Sequence, residues 1–211
     1  MKITVKKIIL LIISKFNYLK FFKNKNKNKK LNLCAGRQKI KGYVSLDYNF
    51  HADLTINLNK GPLPFATDSL SVVVCTSAIN YFTRKRGQEI INEVYRVLEP
   101  GGIARFSSQD LYLIANKYVN KDVKFFFQKL PNGKERFEGK TMGDKFNSWF
   151  YGYDSHAGGC KYFYDFETLS DLFSIAGFKL IEQKPYLDSR LKSIELIDNR
   201  ESQMFFLEAV K

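Results

Sequence analysis

Leu31-Asn32-Leu33-Cys34-Ala35-Gly36, the link Arg37 to Gly42, and Tyr43-Val44-Ser45-Leu46-Asp47 decide the fold. Leu31 to Cys34 and Tyr43 to Asp47 read as two buried strands joined by a glycine turn, the second ending in an acid. Only eight residues, Ala35 to Gly42, separate them, too few for a full crossover helix with its loops. A parallel strand delivers backbone N–H groups at its carboxyl end, and Gly36 turns the chain without a Cβ in the way. A carboxylate at Asp47 can accept from both hydroxyls of a ribose. Cys34 and Ala35 stand where such a turn ordinarily begins with glycine, which puts a side chain where a backbone must come close.

Outward from this segment, strands and helices alternate. Leu54 to Leu58 reads as a third strand, and Leu70 to Cys75, nearly all valine and leucine, as a fourth covered on both faces. Gln88 to Leu98 carries an apolar stripe at Ile90, Ile91, Val94, Val97 and Leu98, and Pro100-Gly101-Gly102 stops that helix. Ile103 to Ser107 is the fifth strand. Between Leu111 and Tyr164 the pattern loosens into mixed aromatics, glycines and charges, as in a cover or substrate-facing insertion. Asp165 to Ala176 is a helix capped by Gly177, and Phe178 to Glu182 and Gln203 to Val210 are the last strands. The alternation predicts an α/β fold, a doubly wound and mostly parallel sheet whose ligand lies outside the strand ends at the switch point.

Charge divides the chain. Ten of the thirteen net positive charges are lysines in residues 1–30, which hold no acid, leaving +3 for the remaining 181 residues. The tail reads as a basic helix, Ile3 to Phe22, followed by a Lys/Asn linker. Its uninterrupted apolar core, Ile8 to Ile13, is far short of the roughly 20 residues a spanning helix needs. Lysines fall on several sides of the helical wheel, so docking on the chain's own domain is the leading reading, contact with a membrane surface the next. Three cysteines without framework spacing predict a reducing, cytoplasmic compartment. Two histidines, His51 and His156, and no ligand-spaced cysteine pair leave no metal site.

The chain also resembles the compact class I S-adenosylmethionine-dependent methyltransferases, from about Leu31 to the C-terminus. Pro62-Leu63-Pro64-Phe65-Ala66-Thr67-Asp68-Ser69-Leu70 is similar to that family's approach to strand four. Glu93-Val94-Tyr95-Arg96-Val97-Leu98-Glu99-Pro100-Gly101-Gly102 is similar to its helix before strand five. The resemblance implies a methyltransferase domain over 31–211, a Rossmann-like fold and S-adenosylmethionine as cofactor. It places Cys34, Ala35 and Gly36 beside the methionine part, Asp47 at the ribose, Asn57 and Leu58 near the adenine, and Ser77 after strand four. Ser77-Ala78-Ile79-Asn80-Tyr81 replaces the family's His-x-x-Glu-His run. Asp110 and His156 are the candidate bases, with helix capping the competing role for Asp110. A dinucleotide enzyme would need G-x-G-x-x-G opening a helix and an acid about 20 residues on, whereas Asp47 follows Gly36 by eleven.

The expected function is methyl transfer to a small-molecule or glycan-type acceptor. The alternative is a degenerate member of the fold serving as a binding or scaffold module. The near-neutral domain argues against a nucleic-acid acceptor.

Overall fold

The computed structural model describes residues 5–22, 29–152 and 159–211. Seven strands form one sheet in the order β3-β2-β1-β4-β5-β7-β6. They are β1 (Lys29–Leu33), β2 (Tyr43–Asp47), β3 (Leu54–Thr55), β4 (Leu70–Thr76), β5 (Leu98–Gln109), β6 (Leu180–Lys184) and β7 (Met204–Val210). β1 to β5 pair in parallel, and β7 runs antiparallel between β5 and β6. The order reverses between β1 and β4, which sets the switch point there.

α1 (Val5–Phe22) packs at the β3 edge, and α2 (Arg84–Val97) and α6 (Phe166–Ala176) pack against each other. One apolar cluster joins α2 and α6 to the strands, with Leu31, Leu46, Val73, Ile91, Val94, Phe106, Leu169 and Phe173 all buried. Gly177 closes α6 at φ 110°, in the left-handed region that a C-cap glycine reaches without Cβ strain.

Several boundaries move, each for a local reason. β1 begins at Lys29, two residues before the expected strand, because Lys30 pairs with Tyr43 and lays its ammonium over that ring. β3 keeps only Leu54 and Thr55 before the chain leaves to line a cleft. α2 starts a turn early because the Thr83 hydroxyl accepts from Arg86 N, an N-cap without the acidic partner that makes such caps legible. β6 is shifted to Leu180–Lys184.

The Glu93 and Arg96 of the family-like helix motif turn out to be a clamp. Glu93 Oε2 accepts from Leu63 N at 2.7 Å, and Arg96 donates to Glu93 and to the carbonyls of Leu63 and Phe65. Motif and Pro-Leu-Pro-Phe run therefore belong together as one packed unit. The loose stretch after β5 folds into α3 (Leu111–Val119), α4 (Val123–Phe126) and α5 (Met142–Tyr151) around its own aromatic core of Phe126, Phe137 and Trp149.

Candidate active site

The carboxyl ends of β1, β2 and β4 open into a cleft of about 560 Å³, within the range of small-molecule sites. No helix separates β1 from β2, so the turn between them is held by side chains. Gly36 N donates to Asp47 Oδ2 at 2.8 Å, and Asn49 Nδ2 donates to Gly36 O at 2.8 Å. Both backbone groups of the glycine are thus pinned to the end of β2. Gly36 sits at φ 59°, and a Cβ built there meets nothing within 4 Å. The requirement at Gly36 is conformational, not steric.

Cys34 and Ser77 end the two central strands, and both adopt left-handed backbone, at φ 56° and φ 57°. For residues with a Cβ that conformation costs about 1–2 kcal/mol, and here the strain sits on both sides of the switch point. Ser77 is held by its N–H on Ser107 O at 2.9 Å and by Arg200 Nη1 on its hydroxyl at 3.2 Å. The Cys34 thiol meets that of Cys75 on the neighbouring strand; this contact, with burial, pushes it well above the ordinary thiol range. Such a thiol stays protonated and behaves as a small apolar group rather than a nucleophile.

Ile56 and Leu58 are buried and, with Ala78 and Phe82, give the cleft an apolar lining. Arg86 fixes that lining, with Nε on Leu58 O and Nη2 on Gly61 O, each at 2.6 Å. Asn57 N donates to Ser14 Oγ of α1 at 3.3 Å, so α1 touches the lip of the cleft.

All seven residues expected near a cofactor, Cys34, Ala35, Gly36, Asp47, Asn57, Leu58 and Ser77, line this one cleft. The two candidate bases do not join them. Asp110 is the N-cap of α3, its Oδ1 accepting from Leu113 N at 3.2 Å, and it is not among the lining residues. Burial pushes its carboxyl up from the usual range. His156 lies outside the described residues. No group of metal-binding side chains occurs among the described residues.

The sequence reading missed Asn32, Arg37, Asn199 and Arg200, which also line the cleft. Asn32 is buried in β1 and its Nδ2 has no partner, an orphaned donor beside the space a ligand would fill. Asn80, between the lining residues Ala78 and Tyr81, is fully buried. Its Nδ2 donates to Gln109 Oε1 at 2.6 Å and to Cys160 Sγ at 2.9 Å, while its Oδ1 is unpartnered. Polar residues inside a strand otherwise read as apolar, and a loop without periodicity, give no pattern to detect.

A mostly parallel seven-stranded sheet with its cleft at this switch point is the architecture of the class I S-adenosylmethionine-dependent methyltransferases. Solved structures share the fold at low identity. A Methanosarcina mazei SAM-dependent methyltransferase is 17% identical, over 92% of this chain and 96% of its own, with a TM-score of 0.50. The protein in complex with the Haloferax volcanii Trm112 methyltransferase activator is 14% identical, over 97% of this chain and 91% of its own, with a TM-score of 0.51. No curated protein matches the chain. Residues 23–106 match the family model described as a methyltransferase domain. The match covers the strands that build the cleft, from β1 into β5, and likens the chain to the class I S-adenosylmethionine-dependent methyltransferases, whose cofactor is S-adenosylmethionine.

Proposed function

We propose that the cleft at the β1/β4 switch point holds the cofactor and that the methyl group passes to a small polar acceptor, a hydroxylated metabolite or glycan. The observation that carries the cofactor placement is the Asp47 carboxylate. It uses Oδ2 to hold the turn, and its Oδ1 has no donor among the described residues. A ribose diol is the partner that fits an acceptor-only group at a strand end. Ile56 and Leu58 offer the apolar wall an adenine needs. Asn32 Nδ2, Arg37 and Arg200 bring donors to a carboxylate at the other end, and the β1/β2 link has no helix N-terminus to add to them.

When bound, S-adenosylmethionine supplies an electrophilic methyl on a sulfonium. The chain's own task is alignment, holding an acceptor atom in line with that methyl in a site closed to water. Asp110 is engaged in capping α3, and proton transfer falls to it or to another group only where the acceptor must lose a proton. The acceptor class is supported by the unpartnered Asn80 Oδ1 and by the buried, unpartnered hydroxyls of Ser107 and Ser108 on β5, which adjoin the lining residues Ser77, Ala78 and Tyr81 without lining the cleft themselves. These groups suit a ligand with several hydroxyls better than an apolar one.

Transfer of labelled methyl from S-adenosylmethionine to a panel of free sugars, glycosides and hydroxylated small molecules tests this reading. Labelling of polyol acceptors that drops about tenfold or more in Asn80→Leu, with cofactor binding kept, is the expected result. Labelling only of protein or RNA, with none of the panel, would contradict it.

A further inference from the structure

α1 presents two apolar faces, and only one is used by the domain. Leu10 is buried against the β3 edge, and Ser14, one turn on, accepts from Asn57 N. The opposite face carries Val5, Ile9, Ile12, Phe16 and Leu19 at alternating intervals of four and three residues, which stack on one side of a helix. Every one of them is exposed, Ile12, Phe16 and Leu19 by 63%, 65% and 69%. Ile8 widens the same stripe. The poor amphipathic pattern of this segment in sequence has a physical cause: a helix apolar on two opposite faces hides its moment.

A contiguous exposed apolar stripe on an otherwise packed protein marks an interaction surface, and its surroundings indicate the occupant. Lys6 and Lys15 are exposed on α1. Residues 1–30 hold ten lysines and no acidic residue. Among the described residues, no helix is long and apolar enough to cross a membrane. Apolar side chains bracketed by cations of one sign, on a helix that cannot span, match the boundary layer of an anionic bilayer.

We propose that α1 lies in the headgroup layer of an anionic lipid surface, inserting the Val5, Ile9, Ile12, Phe16 and Leu19 stripe. Leu10 and Ser14 meanwhile keep the domain docked to the helix's other face. Because Ser14 reaches Asn57 on the lip of the cleft, the methyl-transfer site works beside that surface. The attachment does not depend on which acceptor is methylated.

The test is co-sedimentation of the full chain with vesicles of phosphatidylcholine alone and of phosphatidylcholine with about one third phosphatidylglycerol. Binding to the anionic vesicles only, weakened on raising salt from about 0.1 to about 0.5 M, is expected. The double variant Ile12→Asp and Phe16→Asp should reduce it by about tenfold or more at an unchanged melting temperature, since both positions are exposed. Replacing Lys23, Lys25 and Lys27 with serine should weaken it by up to roughly a hundredfold, about 1 kcal/mol for each lysine. Equal binding to both vesicles, no binding to either, or binding indifferent to the double variant would overturn the proposal. So would a chain that ignores both vesicles yet sediments as a dimer that the same variant dissociates, which would assign the stripe to a second copy.

Discussion

The cleft has two walls, and they are held by different physics. The wall from β1 and β2 rests on apolar packing of Leu31, Leu33 and Leu46 and on a turn tied locally, Gly36 to Asp47 across eleven residues. The far wall, carrying Asn199 and Arg200, rests on buried charge. Arg105 of β5, 1% exposed, donates to both oxygens of Asp198 at 3.2 and 2.5 Å across 93 residues of sequence. Glu208 of β7 lies 3.8 Å from the same guanidinium and also accepts from Arg190 N and Nη1. Asp198 further accepts from Leu187 N, so one ionic cluster ties β5, β7 and the loop 185–199 together. Gln38 Nε2 on Leu196 O at 2.7 Å joins the two walls. A site can therefore have one wall that forms with the core and another that depends on a few long-range ion contacts.

The sharpest way to break this comparison is to remove the cation. Arg105→Met leaves Asp198 and Glu208 buried without it and should cost about 3–5 kcal/mol of stability, read by denaturant unfolding. Cofactor affinity should fall with it, since the loop bearing Arg200 loses its tether. A loss below about 1 kcal/mol would mean that the cluster is solvated and the far wall packs on its own.

Smaller effects belong to a helix cap on the β6/β7 side and to the first wall itself. Asp165 caps α6 through Thr168 N at 2.8 Å, and Asp165→Ala should cost about 1 kcal/mol. Hydrogen bonds from Thr168 hold that carboxyl below the usual aspartate range. A depressed carboxyl contributes stability above its unfolded value, near 3.9, and loses it as the pH falls through the lower folded value. The wild type should therefore lose stability in acid with a component that the alanine variant lacks. Smallest of all is Cys34→Gly. Relief of the left-handed strain should offset the lost Cys75 contact and the added freedom of the unfolded chain, leaving stability within about 1 kcal/mol of wild type. Affinity for S-adenosylhomocysteine should hold or rise; a clear loss would show that the thiol itself shapes the site.

This contrast also explains what was legible in sequence. The apolar runs at Leu31 to Leu33 and Leu70 to Cys75, the short link after Gly36 and the acid at Asp47 are local signals, and the sheet follows from them. Glu93 and Arg96 stood out as a motif, although their clamp on Leu63 and Phe65 became visible only in three dimensions. Arg105, Asp198 and Glu208 left no trace, because a pairing across 93 residues has no period and single charges on strands read as solvent-facing. Arg200, reached through an irregular loop, was lost with them. Lys145 and Trp149 of α5, both fully buried, likewise hid in a stretch whose apolar residues pack on each other rather than on the sheet.

Calorimetric titration with S-adenosylhomocysteine on wild type and Asp47→Ala tests the central claim, that the Asp47 end of the β1/β2 wall holds the cofactor, most directly. The account predicts saturable binding by the wild type. The variant should remain folded, with affinity lowered about tenfold to a hundredfold, the worth of charge-assisted hydrogen bonds to a diol. Equal affinity in the two proteins, or no binding by a folded wild type, would contradict it.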